Sequence, residues 1–429
     1  MNEAGGTGTA VPSAAATRSA GPVFRRLWTA TVVSSAGDGA RLIALPLLAA
    51  RISDDPIAVT STTMAASLPW LVCSMLSGAL VDRFDRWRLM RGANACQAVV
   101  MTGFALAVFT HHVGLLALIA VAFVTASLQT VVDLSAQALL PAVTGKEQLA
   151  AANGRLQAGT RIAGLLAGPA LGGLLFTQGP AVPFVLDALS FVLSTACVWA
   201  VPAGLPRSPA PGLSSGRGRI REGMRWLLGH RLLRTLCLGL LLWSLADTAV
   251  VALLPLYAMD SLGLPDSGVG ILLTTSAIGG FAGSLAAPRI APRTSTPVVV
   301  TGVFALTAIG YAILAGAARL PTAAVALLCL GFSSGVWVVV VTAVRQSEIP
   351  SQLLGRVSSA YRMVGFGSRP AGAALGGLLA HTWSLTTAFW SAAAVMTVTA
   401  VAVGPALAHA TRPDASNQAS DKHGAHQLD

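Results

Sequence analysis

Charge is what this chain has least of. Asp, Glu, Lys and Arg make up 10% of its 429 residues, against about 25% in soluble domains. Hydrophobic residues reach 54% and the mean hydropathy is +0.69. So little charge cannot cover a water-facing surface, so most of the surface must face lipid. Aromatics are scarce at 6%, which leaves Ala, Leu, Val and Gly to supply the apolar mass. The 44 glycines suit helices that pack closely in lipid. Lysine is nearly missing, with only Lys146 and Lys422. That reliance on Arg, with heavy use of Ala, points to a GC-rich bacterial genome.

Other absences remove whole classes of chemistry. The five cysteines (Cys73, Cys96, Cys197, Cys237, Cys329) all fall in apolar runs, and no pair has CxxC spacing. They read as small core residues, not as disulfides or metal ligands. No GxxxxGK[ST] loop is present, which argues against ATP-driven transport by this chain. GFSSG at Gly331–Gly335 matches the G-x-S-x-G hydrolase elbow. That motif needs a strand–turn–helix setting, whereas this one lies inside an apolar run with no polar partner. Neither an enzyme nor a resident cofactor or metal is expected. The HGAH of the tail, His423 to His426, reads as part of a disordered end.

What the chain does have is long apolar runs. They fall near 27–50, 57–81, 88–110, 114–140, 158–178, 181–203, 233–258, 268–289, 296–317, 321–344, 359–380 and 384–408. Each is long enough for a membrane-crossing helix, which needs about 20 residues. The expected fold is all-α, with twelve spans. The polar segment TGKEQLAAANGRLQ between the fourth and fifth runs reads as an amphipathic interfacial piece. A segment rich in Pro, Gly, Ser and Arg separates the sixth and seventh, with a surface helix expected from Arg219 to His230. The organisation is then a disordered tail 1–22, a bundle 23–203, a central loop 204–232, a bundle 233–408 and a tail 409–429.

Placing the N-terminus inside puts 24 of the 28 basic residues in cytoplasmic loops and tails. Arg51 and Arg319 alone fall on outside loops, and Arg41 and Arg369 lie within spans. This positive-inside pattern sets the orientation, with both termini cytoplasmic. It also accounts for the net charge of +11. The charge is scattered over many loops that face anionic lipid, which argues against nucleic acid as a partner.

The two halves repeat. D-GARLIAL-PLLA in the first span carries Asp38 and Pro46, and D-TAVVALL-PLYA in the seventh carries Asp247 and Pro255, an offset of 209. ALGGLL occurs at Ala170–Leu175 and again at Ala374–Leu379, an offset of 204. GALVDR ends the second span and GSLAAPR the eighth. Pseudo-symmetric halves usually build a transporter with its site near the midplane.

After the second span comes GALVDRFDRWRLM, Gly78 to Met90. It resembles the signature loop of the major facilitator superfamily, G-x-L-x-D-R-x-G-R-R, through Gly78, Leu80, Asp82, Arg83, Arg86 and Leu89. Asp85 stands where the second glycine usually lies, a departure shared with the branch of macrolide and enterobactin exporters. The resemblance implies an ion network that locks one conformation, although a solvated basic loop that only sets topology is the plainer alternative. The fifth span reads G-LLA-GP-AL-GG, with Gly164, Gly168, Pro169, Gly172 and Gly173. This is similar to the antiporter motif of drug:proton exchangers in the same superfamily. Glycines every four residues line one helix face, and Pro169 favours a kink. The resemblance covers residues 24 to 408. It implies two six-helix bundles around a cavity, a monomer in a bacterial cell membrane, and export of a small amphipathic molecule in exchange for protons. Direction and substrate alone separate this from an importer or facilitator of a nutrient. A non-transporting sensor would need a large soluble domain.

Charges within the spans are the candidate site. Asp38 lies eleven residues past Leu27, about 16 Å into a bilayer core about 30 Å thick. A charge there costs at least about 2.5–3.5 kcal/mol. The resemblance places the first and seventh spans across the cavity from each other, so Asp38 and Asp247 are the proton-coupling candidates, Asp38 foremost. A static pair of Asp38 with Arg41, three residues on, is the alternative. Asp133 is expected to join the signature-loop network through Arg86, as are Arg345 and Glu348 from the tenth span. Asp187 is expected to be solvated at the outer interface. Trp243 and Trp337 are cavity aromatics or packing residues.

Overall fold

In the computed structural model, residues 21–73, 77, 80–81, 83–144, 148–201, 216–316, 319–350 and 353–410 are described, and among them no strand occurs. Prolines and acidic caps start the first helices. Helix α1 (Pro22–Ile52) opens on a proline, whose missing N–H would be unbonded there anyway. Helix α2 (Pro56–Val72) does the same behind Asp55, whose Oδ1 accepts from the Ile57 amide at 2.9 Å. Helix α3 (Arg86–Phe109) begins behind Asp85, whose carboxylate accepts from the Arg88 amide at 2.9 Å. The acid that departs from the signature loop is therefore an N-cap. Helix α4 (Leu115–Thr144) follows.

The fifth span is composite. α5 (Leu149–Arg161), a π-helical stretch at Ile162–Ala167 and α6 (Gly168–Gln178) run on as one rod. Pro169 has no N–H to give to the preceding turn, and a π turn absorbs such a defect. The expected interfacial piece is thus largely the beginning of this span. Helix α7 (Val182–Trp199) completes the first half.

The second half comprises α9 (Arg231–Leu256), extended by a π turn at Tyr257–Ser261, then α10 (Asp266–Ile290) and α11 (Thr296–Gly316). It ends with α12 (Leu320–Glu348), α13 (Leu354–Thr382) and α14 (Leu385–Ala410). Among the described residues ten spans are long and apolar enough to cross a membrane. The other two expected spans are α2, described only in part beyond Val72, and α13, which carries Arg356, Arg362, Arg369 and His381.

Between the halves lies α8 (Gly216–Gly229), where a surface helix was expected, with Arg221, Glu222 and Arg225 exposed. It docks on α13, where the Arg356 Nη1 donates to both Glu222 oxygens at 2.7 Å and Leu227 is fully buried. The N-terminal tail up to residue 20, the C-terminal tail from 411 with its HGAH, and the Pro-rich stretch 202–215 lie outside the described residues.

The duplication seen in the sequence is a duplication of packing. In the first half α1 lies on α6 and α7, α3 on α4 and α7, and α2 on α4. In the second, α9 lies on α13 and α14, α11 on α12 and α14, and α10 on α12. The halves meet through two equivalent pairs, α2 with α13 and α6 with α10. The glycine motif does the same job twice. A Cβ on Gly172 would lie 2.7 Å from the Ala40 Cα, and one on Gly376 would lie 2.8 Å from the Ala249 Cα. Side by side with them, Gly173 meets Gly270 of the other half, and Gly377 meets Thr60.

The contacts between halves gather away from the chain termini. Gly173 against Gly270 sits near that far end, and there the His381 Nδ1 lies 3.0 Å from the Asp55 Oδ1. On the terminus side, α5 packs within its own half, on α1 and α4.

Candidate functional site

Helical spacing puts Asp38 and Arg41 on one face of α1, and the fold supplies the rest. The Arg41 guanidinium donates from Nη2 to the Asp38 Oδ1, from Nε to the Asp187 Oδ2 at 2.8 Å, and from Nη1 to the Thr125 Oγ1 at 2.5 Å. Three helices, α1, α4 and α7, thereby converge on one cation. Arg41 is only 7% exposed and Asp187 is fully buried. Gly37 makes the approach possible: a Cβ there would lie 2.5 Å from the Asp187 Oδ1 and 2.9 Å from the Ser190 Cβ.

Polar contacts run on from this triad toward the terminus side. The Thr125 carbonyl accepts from the Gln97 Nε2 at 3.2 Å. The same Nε2 donates to the Gln129 Oε1 at 3.0 Å, and the Gln129 Nε2 donates to the Asp133 Oδ1 at 3.0 Å. Buried charges persist in such places only when paired and hydrogen-bonded. Two carboxylates share one guanidinium, so the fully ionised triad carries one net negative charge. One added proton makes it neutral.

Two sequence expectations are corrected here. Asp187 is not solvated at an interface; it is buried and is one of the two anions on Arg41. The signal was present: spacings of three and four put Asp187, Ser190 and Ser194 on one face of α7, opposite the exposed Val185, Leu189 and Val192. Asp133 accepts from Gln129, while the Arg86 Nη1 donates to the Ala138 carbonyl at 3.2 Å. Thr125, Gln97 and Gln129 were not singled out from sequence, since nothing local marks a polar residue that joins a distant cluster. Of the signature loop, Gly78 and Asp82 lie outside the described residues, and Leu80 and Arg83 are exposed.

The second half offers a sparser site. Asp247 accepts from the Tyr311 Oη at 3.4 Å. Asp38 and Asp247 each take their hydrogen bonds within their own half. Trp243 and Trp337 are buried against each other, with ring centroids 5.2 Å apart, and Phe304 packs on both. They are packing residues. Gly331 and Gly335 of GFSSG lie against Ser276 and Gly280 of α10, and Ser333 is buried inside α12. On the terminus side, the Arg345 guanidinium covers the Tyr361 ring at 4.3 Å, and Glu348 lies 3.7 Å from the His230 Nε2.

Gly164, Gly168 and Gly172 face α1. Cβ atoms on them would lie 3.2 Å from the Ser35 oxygen, 2.7 Å from the Gly39 Cα and 2.5 Å from the Ala40 oxygen. The antiporter-type motif is therefore the seam that holds the fifth span against the helix bearing Asp38 and Arg41. Pro169 is buried beside it.

Two pseudo-symmetric bundles of membrane helices are the architecture of a membrane transporter. The chain belongs to the transmembrane secretion effector family of the major facilitator superfamily, which matches residues 14–428. It is similar to the multidrug efflux pump Tap of Mycobacterium tuberculosis, at 28% identity over 86% of this chain and 89% of the pump. It is also similar to the enterobactin exporter EntS of Escherichia coli, at 25% identity over 83% of this chain and 85% of the exporter. Among solved structures, a bacterial homologue of the iron transporter ferroportin in the inward-facing state shares the fold. Its TM-score is 0.67 at 16% identity, covering 91% of this chain and 99% of that one. The protein is a multi-pass membrane transporter and not an enzyme.

Proposed function

We propose that this transporter exports a small amphipathic molecule, such as an antibiotic, another drug or a siderophore-like compound, in exchange for protons by alternating access. The observation that carries the reading is the Asp38–Arg41–Asp187 triad, a buried network one proton short of neutrality. Asp38 is its cavity-side member, with its side chain 20% exposed, while Asp187 is sealed. Export is supported by the family and by relatives whose names state efflux and export. The basic residues of the loops support cytoplasmic termini in a bacterial cell membrane. The far end of the molecule is then the outer side, where the described contacts of Gly173 with Gly270 and of His381 with Asp55 close one half on the other.

Rocking of residues 23–203 against residues 233–408 would move the cavity from one face to the other. The central loop 204–232 links them, and the signature loop with Gly78, Leu80, Asp82, Arg83 and Arg86 would latch the cytoplasmic side. The membrane potential supplies about 2.3 kcal/mol per charge per 100 mV. The partners are the substrate, protons and lipid, and the working unit is a monomer.

Two measurements test this. Cells lacking the gene should accumulate a fluorescent substrate faster than cells expressing it; slower accumulation on loss of the gene would favour import instead. Gly270→Val tests the outer closure. Even a single Cβ there would lie 2.8 Å from the Gly173 Cα. Overpacking of about 1–3 kcal/mol should disfavour the outward-closed state by roughly 5- to 150-fold, at about 1.4 kcal/mol per factor of ten. Spin labels at Gln178 and Leu262 should then report longer distances than in the wild type. An unchanged distribution would remove the outer gate from the mechanism.

A further inference from the structure

Asp38 and Asp247 are equivalent by the 209-residue repeat, yet their cations are not. The position matching Arg41 in the second half is Val250. The cation within the spans of that half is instead Arg369 on α13, which among the described residues makes no ion pair with Asp247 and acts on it only through its field. The position matching Arg369 by the 204-residue repeat is Leu165. The repeat has been broken in both directions, and the two half-sites have become different things.

The difference lies in what the guanidinium groups have left to give. Arg41 is buried and engages three acceptors. Arg369 is exposed midway along α13. Its Cζ lies 4.5 Å from the Phe366 ring centroid, and Phe366 stacks on Trp70 of the other half at 5.1 Å with planes 19° apart. Through Phe366, Arg369 stands next to the Trp70 contact that joins the two halves. Among the described residues, no hydrogen bond or ion pair takes up its N–H donors. Asp247 accepts one bond, from Tyr311. A guanidinium held at this depth with its N–H donors unused is costly, which a ligand would relieve.

We infer that Arg369, with Phe366 and Trp70, is the substrate-recognition site, and that it takes a flat amphipathic anion in which a carboxylate, or an ionised phenol or enol, is carried on an aromatic or polycyclic body. This names the substrate class of the export reading above and rests on that reading. The guanidinium is a planar fork that pairs with a planar anion through two parallel hydrogen bonds. Phe366, already between the guanidinium and Trp70, holds both in place, and the outer face of the Trp70 indole is where a ring system stacks. Asp247 beside the site admits a substrate amine or hydroxyl and disfavours a second negative charge. The division of labour follows: the first half holds the proton on a triad reached through Asp38, and the second half reads the cargo.

The test is equilibrium binding to the purified full-length protein in lipid nanodiscs, without any gradient. The probes are anthracene-2-carboxylate, its methyl ester and 2-(aminomethyl)anthracene. In wild type the acid should bind about tenfold more tightly than the ester, as one good charge-assisted pairing allows. Arg369→Gln should abolish that preference and leave the ester's affinity within about twofold; retained ester binding shows that the variant is folded. Arg369→Lys should keep part of the preference, and Trp70→Leu should weaken acid and ester alike. Equal affinities in wild type, or tighter binding of the amine that Arg369→Gln leaves unchanged, would overturn the assignment. So would a loss of acid and ester to the same extent in Arg369→Gln. A wrong transport direction would appear in the cell accumulation assay and would leave these binding constants as they are.

Discussion

Arg41→Met is expected to destabilise the protein by about 3–5 kcal/mol, the usual cost of stripping a buried anion of its cation. The change removes the donor at 2.8 Å from Asp187, which is fully buried, and the donor to Asp38. It also removes the donor to the Thr125 hydroxyl at 2.5 Å, which is left with its own bond to the Val121 carbonyl. Methionine fills nearly the same space, so lost volume is not the cause. The matching triple variant Arg41→Met, Asp38→Asn, Asp187→Asn carries no unpaired charge and should recover most of the loss, because neutral replacement of a whole buried network is often tolerated. Thermal unfolding in detergent, followed by tryptophan fluorescence, would measure both. If Arg41→Met melts with the wild type, water reaches Asp187 and the sealed triad is not what holds α1 to α7.

Asp38→Asn should abolish proton movement triggered by substrate, at least about a tenfold loss in rate, which is some 1.4 kcal/mol of barrier. The vesicle holds a pH dye, a pH gradient is imposed, and candidate drugs are added. The amide keeps the shape and still accepts from Arg41, but it cannot take a proton from the cavity. Asp247→Asn should retain the flux, since Asp247 stands apart from the triad and accepts its bond from Tyr311. Flux that survives in Asp38→Asn and vanishes in Asp187→Asn would move the proton one residue inward. Flux that survives in every one of these variants would reduce the triad to a structural clasp.

Much of this architecture was open to a reader of the chain. Apolar runs gave the spans, because a backbone in lipid must satisfy its own hydrogen bonds and so forms long helices. Ala170–Leu175 and Ala374–Leu379 foretold equivalent seams, and Gly172 and Gly376 do pack on the equivalent Ala40 and Ala249. Boundaries were less legible where chemistry was mixed. The polar start of α5 read as an interfacial piece, because its Asn, Gln and Arg hide the helix that continues through the π turn into α6. The segment after Arg219 read correctly as a surface helix, but a sequence does not show that its Glu222 will find Arg356.

By itself, then, the sequence determined the class, the span pattern and the twofold repeat. These depend on hydropathy and on periods of a few residues, which are local properties. It also determined that Asp38 and Arg41 share a face. Only the tertiary structure decided who else comes to that face. Asp187 lies 146 residues from Arg41 and Thr125 lies 84 away, and which buried polar groups meet depends on which helices pack side by side. The same holds for Arg369, which the sequence showed only as a charge within a span. Its place over Phe366, the ring that stacks on Trp70 of the other half, follows from how α13 crosses α2.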